Sequence, residues 1–139
     1  MTARLLVVAA VVAIAVVLAV VARRRRPDVP TQPARNVPQQ LDRADFPRPQ
    51  APWLVVVFTS STCHTCADVA AKAAVLSSDD VEVTEVEFGA QRRIHDRYRI
   101  DAVPTVVLAD AEGVVRASLL GPVTATDLWA AIAAAREES

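Results

Sequence analysis

Apolar and polar positions follow two regimes along this chain. From Leu5 to Ala22 the run is unbroken Leu, Val, Ala and Ile, whereas beyond residue 50 apolar blocks are short and patterned. Leu54-Val55-Val56-Val57-Phe58 is a compact β-branched block between Pro52 and a Thr/Ser cluster, which predicts a buried strand. Ala67 to Leu76 is rich in good helix formers and predicts a helix. Val81 to Phe88 alternates and stops at Gly89, so it predicts a second strand. Gln91 to Arg99 predicts a short charged helix, with His95 solvated and Tyr98 and Ile100 packed inward. Thr105 to Ala109 predicts a third strand. Asp110-Ala111-Glu112-Gly113 predicts a hairpin turn, with Gly113 free to take a positive φ. Val114 to Leu120 then pairs back and ends at Gly121-Pro122. Thr124-Ala125-Thr126-Asp127 has a capping-box pattern opening a helix from Ala125 to Arg136, with Leu128, Ile132 and Ala135 facing inward. The order strand, helix, strand, helix, strand, strand, helix predicts an α/β fold, a central mixed sheet with helices on its faces.

The first regime predicts a different object. Eighteen apolar residues at 1.5 Å each span roughly 27 Å, close to a hydrocarbon core. Arg23-Arg24-Arg25-Arg26 follows at once, while only Arg4 and the amino terminus precede it. A cleaved signal has a shorter apolar region and carries its charge in front. Residues 1–26 are therefore expected to be an uncleaved, single-pass anchor in the cell membrane. The four arginines place the rest of the chain on the cytoplasmic face, an extracytoplasmic domain being the alternative. Residues 27–50 hold most of the prolines of the segment up to Pro52, seven of the chain's nine, and are expected to form an extended linker. Leu41 to Phe46 interrupts them with alternation, which predicts a short edge strand at 41–46. The folded domain is then expected over residues 51–139.

The net charge of −1 hides an asymmetry. Residues 1–50 carry eight arginines against three aspartates, and residues 51–139 carry seven basic against thirteen acidic groups. An acidic domain argues against nucleic acid as a partner, because such binding rests on phosphate neutralisation. The membrane is expected to be engaged through residues 5–22, and the protein to be monomeric.

Both cysteines of the chain lie in Cys63-His64-Thr65-Cys66, between the first strand and the first helix. A bond between them closes so short a loop that it adds little stability, so chemistry is the better reason for the pair. A helix start favours the thiolate through unpaired N–H groups and the dipole. Cys63 is the expected nucleophile and Cys66 the resolving thiol. A protonated His64 would lower the pKa of Cys63. Thr65 is expected only to fill the turn, and Lys72 to pair with Asp68.

The strand leading to Cys63-His64-Thr65-Cys66, the segment Tyr98-Arg99-Ile100-Asp101-Ala102-Val103-Pro104-Thr105 and the Gly121 break before a terminal helix together resemble the thioredoxin superfamily, over about residues 41–139. That resemblance implies a thioredoxin-like fold, a cis peptide at Val103-Pro104 facing the cysteines, and substrate docking along the backbone of Val103 and Pro104. It implies thiol–disulfide oxidoreductase activity on protein disulfides or thiols, with no cofactor. The sequence also departs from the pattern. Thr62 stands where thioredoxin has Trp, and His64-Thr65 where it has Gly-Pro. Val57 occupies the place of its buried acid, with Glu85 on the next strand as another carboxylate that could approach. Two other uses of the same residues stay open. One is a thioredoxin-fold interaction module without turnover. The other is a carrier of zinc or copper on Cys63, Cys66 and His64, although a structural zinc site wants four ligands and no metal is expected.

Overall fold

The computed structural model describes residues 12–17 and 36–138. The chain divides into two units at residues 34 and 35. Residues 12–17 are helical and exposed. The rest of the apolar run at 5–22, the arginines at 23–26 and the prolines up to residue 33 lie outside the described residues. Among the described residues, no helix is long and apolar enough to cross a membrane.

The second unit is built on four strands: β1 (Trp53–Thr59), β2 (Val81–Glu87), β3 (Thr105–Ala109) and β4 (Val115–Leu120). They form one sheet in the order β2-β1-β3-β4. β1 runs parallel to β2 and antiparallel to β3, which is antiparallel to β4. Three helices complete it: α1 (Cys66–Ala74), α2 (Arg92–Arg97) and α3 (Ala125–Glu137). The expected order of elements and the mixed sheet are both present.

All seven residues of β1 are buried because both faces of the sheet are covered. Alternation along the strand sorts its side chains. Trp53, Val55 and Val57 pack with Val69 and Ala73 of α1 and with Leu128 and Ile132 of α3. Leu54, Val56 and Phe58 face the other way, toward Ile94, Tyr98, Leu41 and Phe46. Leu128, Ile132 and Ala135 are the buried residues of α3, as its pattern predicts. Thr124 opens that helix with both halves of a capping box. Its hydroxyl accepts from Asp127 N at 3.1 Å, and the Asp127 carboxylate accepts from Thr124 N at 3.0 Å.

Residues 36–50 depart from expectation. Residues 41–46 hold no edge strand; Arg43–Asp45 is a single 3-10 turn, capped by the Asp42 carboxylate accepting from Ala44 N at 3.0 Å. The folded unit also begins before residue 51. Leu41 is 1% exposed and Phe46 5%, because they close the second face of the sheet. The strap is pinned by backbone bonds from Leu41 N to Gly113 O (2.8 Å) and from Val115 N to Gln39 O (3.0 Å). Arg43 is buried beneath it and donates to Asp110 O at 2.7 Å and Ala51 O at 2.8 Å. Burial lowers the pKa of that guanidinium, against the opposing pull of Asp110 first among its acidic neighbours. Asp110 O also accepts from Gly113 N at 3.0 Å, so the guanidinium ties the strap to the β3–β4 turn.

Candidate functional site

Cys63 and Cys66 are joined as a disulfide, with Cα atoms 5.5 Å apart. They sit at the end of β1, where the strand gives way to the turn at residues 61–65 and then α1. The helix starts at Cys66 rather than at Cys63. Cys63 therefore lies in the turn ahead of α1, its N–H donating to Ser60 O at 3.0 Å. Burial separates the two sulfurs' residues: Cys66 is 2% exposed, whereas Cys63 is half-buried. Thr65 is the N-cap residue but makes no capping bond with its side chain. Its hydroxyl is 3.8 Å from Cys63 Sγ, a weak contact that the turn-filling expectation missed. The first N–H groups of α1 are thus left to water or to a charge at the sulfur. Asp68 in that turn is paired with Lys72 at 2.6 Å, as expected.

His64 is exposed in the turn between the cysteines. Thr62 is exposed as well, and Val57 is 1% exposed within the apolar core. Glu85 lies opposite Val57 in the parallel register. Its carboxylate accepts from Thr59 Oγ1 at 2.7 Å, so it is held at the end of β1. Among the described residues, no group of three or more His, Cys, Asp or Glu side chains is placed to hold a metal.

The Val103–Pro104 peptide is cis, and Pro104 is buried at the entry to β3. Two bonds brace this loop: Thr105 Oγ1 donates to Ala102 O at 2.8 Å, and Gly121 N donates to Pro104 O at 2.8 Å. Gly121 has φ +80°, so the break after β4 also secures the proline loop. Ser60 and Val103 line a groove of ≈ 210 Å³ together with Phe88, His95 and Ile100.

His95 corrects the expectation of a solvated residue. It is 2% exposed, with Nε2 2.9 Å from Val86 O and its ring edge-on to both Phe58 and Phe88. The charged residues around it in α2 concealed this in the sequence. Ile94 and Tyr98, spaced i and i+4, mark the inward face that His95 adjoins. Tyr98 does pack in the core, and it also donates to Asp45 at 2.5 Å and accepts from Asp42 N at 2.9 Å. Trp53 is in the core, while Trp129 is 55% exposed on α3.

The family model for the thioredoxin-like domain matches residues 39–136. The chain belongs to the thioredoxin-like domain family. That span begins within the strap, in agreement with a fold that starts before residue 51. Solved structures show the same fold at low identity. A mutant thioredoxin from Halobacterium salinarum superposes with TM-score 0.53 at 20% identity, covering 60% of this chain and 74% of that one. Mitochondrial thioredoxin 3 from Saccharomyces cerevisiae, in its oxidised form, gives 0.51 at 22% identity, covering 61% and 80%. A malarial protein gives 0.54 at 16% identity, covering 60% and 96%. No curated protein sequence matches at a significant level. A thioredoxin-like domain with its cysteine pair at disulfide distance supports redox activity in general.

Proposed function

We propose that this protein is a membrane-tethered thiol–disulfide oxidoreductase acting on protein disulfides or thiols through Cys63 and Cys66. The observation that carries the reading is the disulfide at the β1–α1 junction, with one sulfur's residue reachable and the other buried. In the reducing direction the Cys63 thiolate attacks a partner disulfide. A Cys63–partner bond forms, and the partner's other sulfur leaves as a thiolate that takes up a proton. Cys66 then gives its proton to water and attacks Cys63 Sγ, releasing the second partner thiol. The pair is oxidised by two electrons and the partner is reduced by two. The oxidising direction runs the same steps backwards. The compartment's redox poise decides which direction prevails. His64 beside Cys63 favours the thiolate when protonated, and the backbone at Val103 and Pro104 offers the docking edge. The tether rests on residues 5–22, and the arginines at 23–26 favour the cytoplasmic face.

Cys63→Ser and Cys66→Ser variants test the chemistry, with equilibration of the wild type against glutathione as reference. Cys66→Ser is expected to accumulate a mixed disulfide with a disulfide-bonded peptide, and Cys63→Ser to trap little. A wild-type pair that neither oxidises nor exchanges would leave an interaction module without turnover. A compartment-specific reporter fused at Ser139 tests the sidedness, and activity of an extracytoplasmic reporter refutes the cytoplasmic placement.

A further inference from the structure

Glu87, the last residue of β2, lies opposite Thr59 in the parallel register, where the ladder ends with Phe88 N donating to Thr59 O at 2.9 Å. Beyond that point the two strands diverge, one into the cysteine turn and the other toward α2. The Glu87 side chain reaches across the gap. Its Oε1 accepts from Ser61 N at 3.0 Å, and its Oε2 accepts from Ala90 N at 2.8 Å. Hydrogen bonds from the backbone of Gly89, Ala90 and Ser61, in that order, hold this carboxyl below the usual carboxylate range. Ser61 is two residues before Cys63, and Cys63 N is bonded to Ser60 O. The 88–90 turn carries Phe88, which lines the groove shared by Ser60, His95 and Val103.

Gly89 lies against the same carboxylate. A Cβ added there would lie 3.1 Å from Glu87 Oε2 and 3.5 Å from Oε1. That is a close contact with the flexible end of a side chain, which a shift of the carboxylate by a few tenths of an ångström would relieve.

We propose that Glu87 is a positioning residue of the redox site, whose carboxylate ties the Ser60–Cys63 loop to the Phe88–Ala90 turn and so sets Cys63 relative to the groove that receives a partner. The proposal rests on the redox reading above. A surface acid that merely decorates the turn would leave exchange untouched. A carboxylate that sets the nucleophile's position affects the reaction with a docked disulfide more than the reaction with a small reagent, which needs no docking.

The test compares wild type, Glu87→Ala, Glu87→Gln and Gly89→Ala. The readouts are exchange with a disulfide-bonded peptide, alkylation of reduced Cys63 by iodoacetamide, thermal melting, and hydrogen exchange of the Ser61 amide. In Glu87→Ala, peptide exchange is expected to fall about tenfold or more, since small misplacements of reacting groups carry such penalties. Alkylation at a pH where Cys63 is ionised should change less than about twofold, and Ser61 protection should be lost. Glu87→Gln keeps one acceptor oxygen and is expected to fall between wild type and Glu87→Ala. Gly89→Ala should slow exchange far less than Glu87→Ala, since the flexible carboxylate end can give way to a Cβ at 3.1 Å. An unchanged peptide exchange rate in a folded Glu87→Ala protein overturns the proposal whatever Ser61 does. So does an equal fall in alkylation and exchange. A wild type that does not exchange at all is a separate outcome: it overturns the redox reading, and the positioning role with it.

Discussion

Leu41→Ala tests whether the strap at residues 36–50 is part of the fold or a linker to it. Leu41 is 1% exposed and packs with Phe46, Leu54, Val56, Phe58 and Tyr98. Truncating a buried leucine costs about 2–5 kcal/mol, and the higher values belong to sites that do not collapse. Collapse is restricted here. Leu41 N is bonded to Gly113 O at 2.8 Å and Asp42 N to the Tyr98 hydroxyl at 2.9 Å, so the backbone on both sides of the void is held. A cost of about 3–4 kcal/mol is therefore expected. For a unit of this size each kcal/mol lowers the melting temperature by about 4–8 °C, which gives a drop of about 12–30 °C.

The assay is thermal and urea unfolding of the full-length protein, followed by fluorescence, with the buried Trp53 as the main reporter of the folded core. Gln50→Ala serves as the control. Gln50 is exposed in the same proline-rich stretch, and substitution there is expected to stay within about 0.5 kcal/mol. A linker would make both substitutions neutral. A melting temperature for Leu41→Ala within about 3 °C of wild type would refute the claim that the strap closes the core.

Two more predictions concern the opposite ends of the β3–β4 pair and the contact of Tyr98 with the strap. Gly113 has φ +81°, and a Cβ there would lie 2.0 Å from Leu41 O, whereas Gly121 has φ +80° and nothing within 4 Å. Gly121→Ala should cost about 1–2 kcal/mol, the price of a left-handed alanine, and Gly113→Ala clearly more because the strap must also move; equal melting temperatures for the two would refute this. Tyr98, the only tyrosine, has its pKa pushed up to about 12 by burial and by its bond to Asp45. Because the folded state holds that proton more tightly than the unfolded chain, this contribution is complete below about pH 10 and lost as pH rises toward 12. Urea unfolding from pH 8 to 11.5 should show that loss in wild type and a smaller one in Tyr98→Phe, with a tyrosinate titration by absorbance locating the pKa; a titration near 10 would contradict the bonded hydroxyl.

The sheet and helices were legible because their signals are local. A β-branched block between breakers, an alternating stretch ending at Gly89, and a capping box at Thr124 each need only their own neighbours in sequence. The strap was not legible for the opposite reason. Leu41-Asp42-Arg43-Ala44-Asp45-Phe46 shows alternation, and period-two patterning over six residues does not separate a strand from a 3-10 turn with two anchored apolar ends. What makes the turn is Asp42 capping Ala44 N. What makes it part of the core is a sheet face left open by the rest of the chain. Proline content says that a segment is extended and poor in donors, but not whether something apolar lies beneath it.

The same distinction runs through the site. Cys63, Cys66 and Pro104 announce themselves because few other uses need those residue types in that order. The half-burial of Cys63 against the burial of Cys66 follows from where α1 begins, and its start at Cys66 is set by backbone conformation rather than by residue type. Glu87 left no such mark. In sequence it is one more acid near an alternating strand's end, with nothing to set it apart from Glu85. In the structure the two differ in what they bind: Glu85 takes one hydroxyl from Thr59, while Glu87 gathers backbone N–H groups from both sides of the strand ends. Backbone donors carry no residue label, so a carboxylate whose partners are amides cannot be distinguished by composition or spacing.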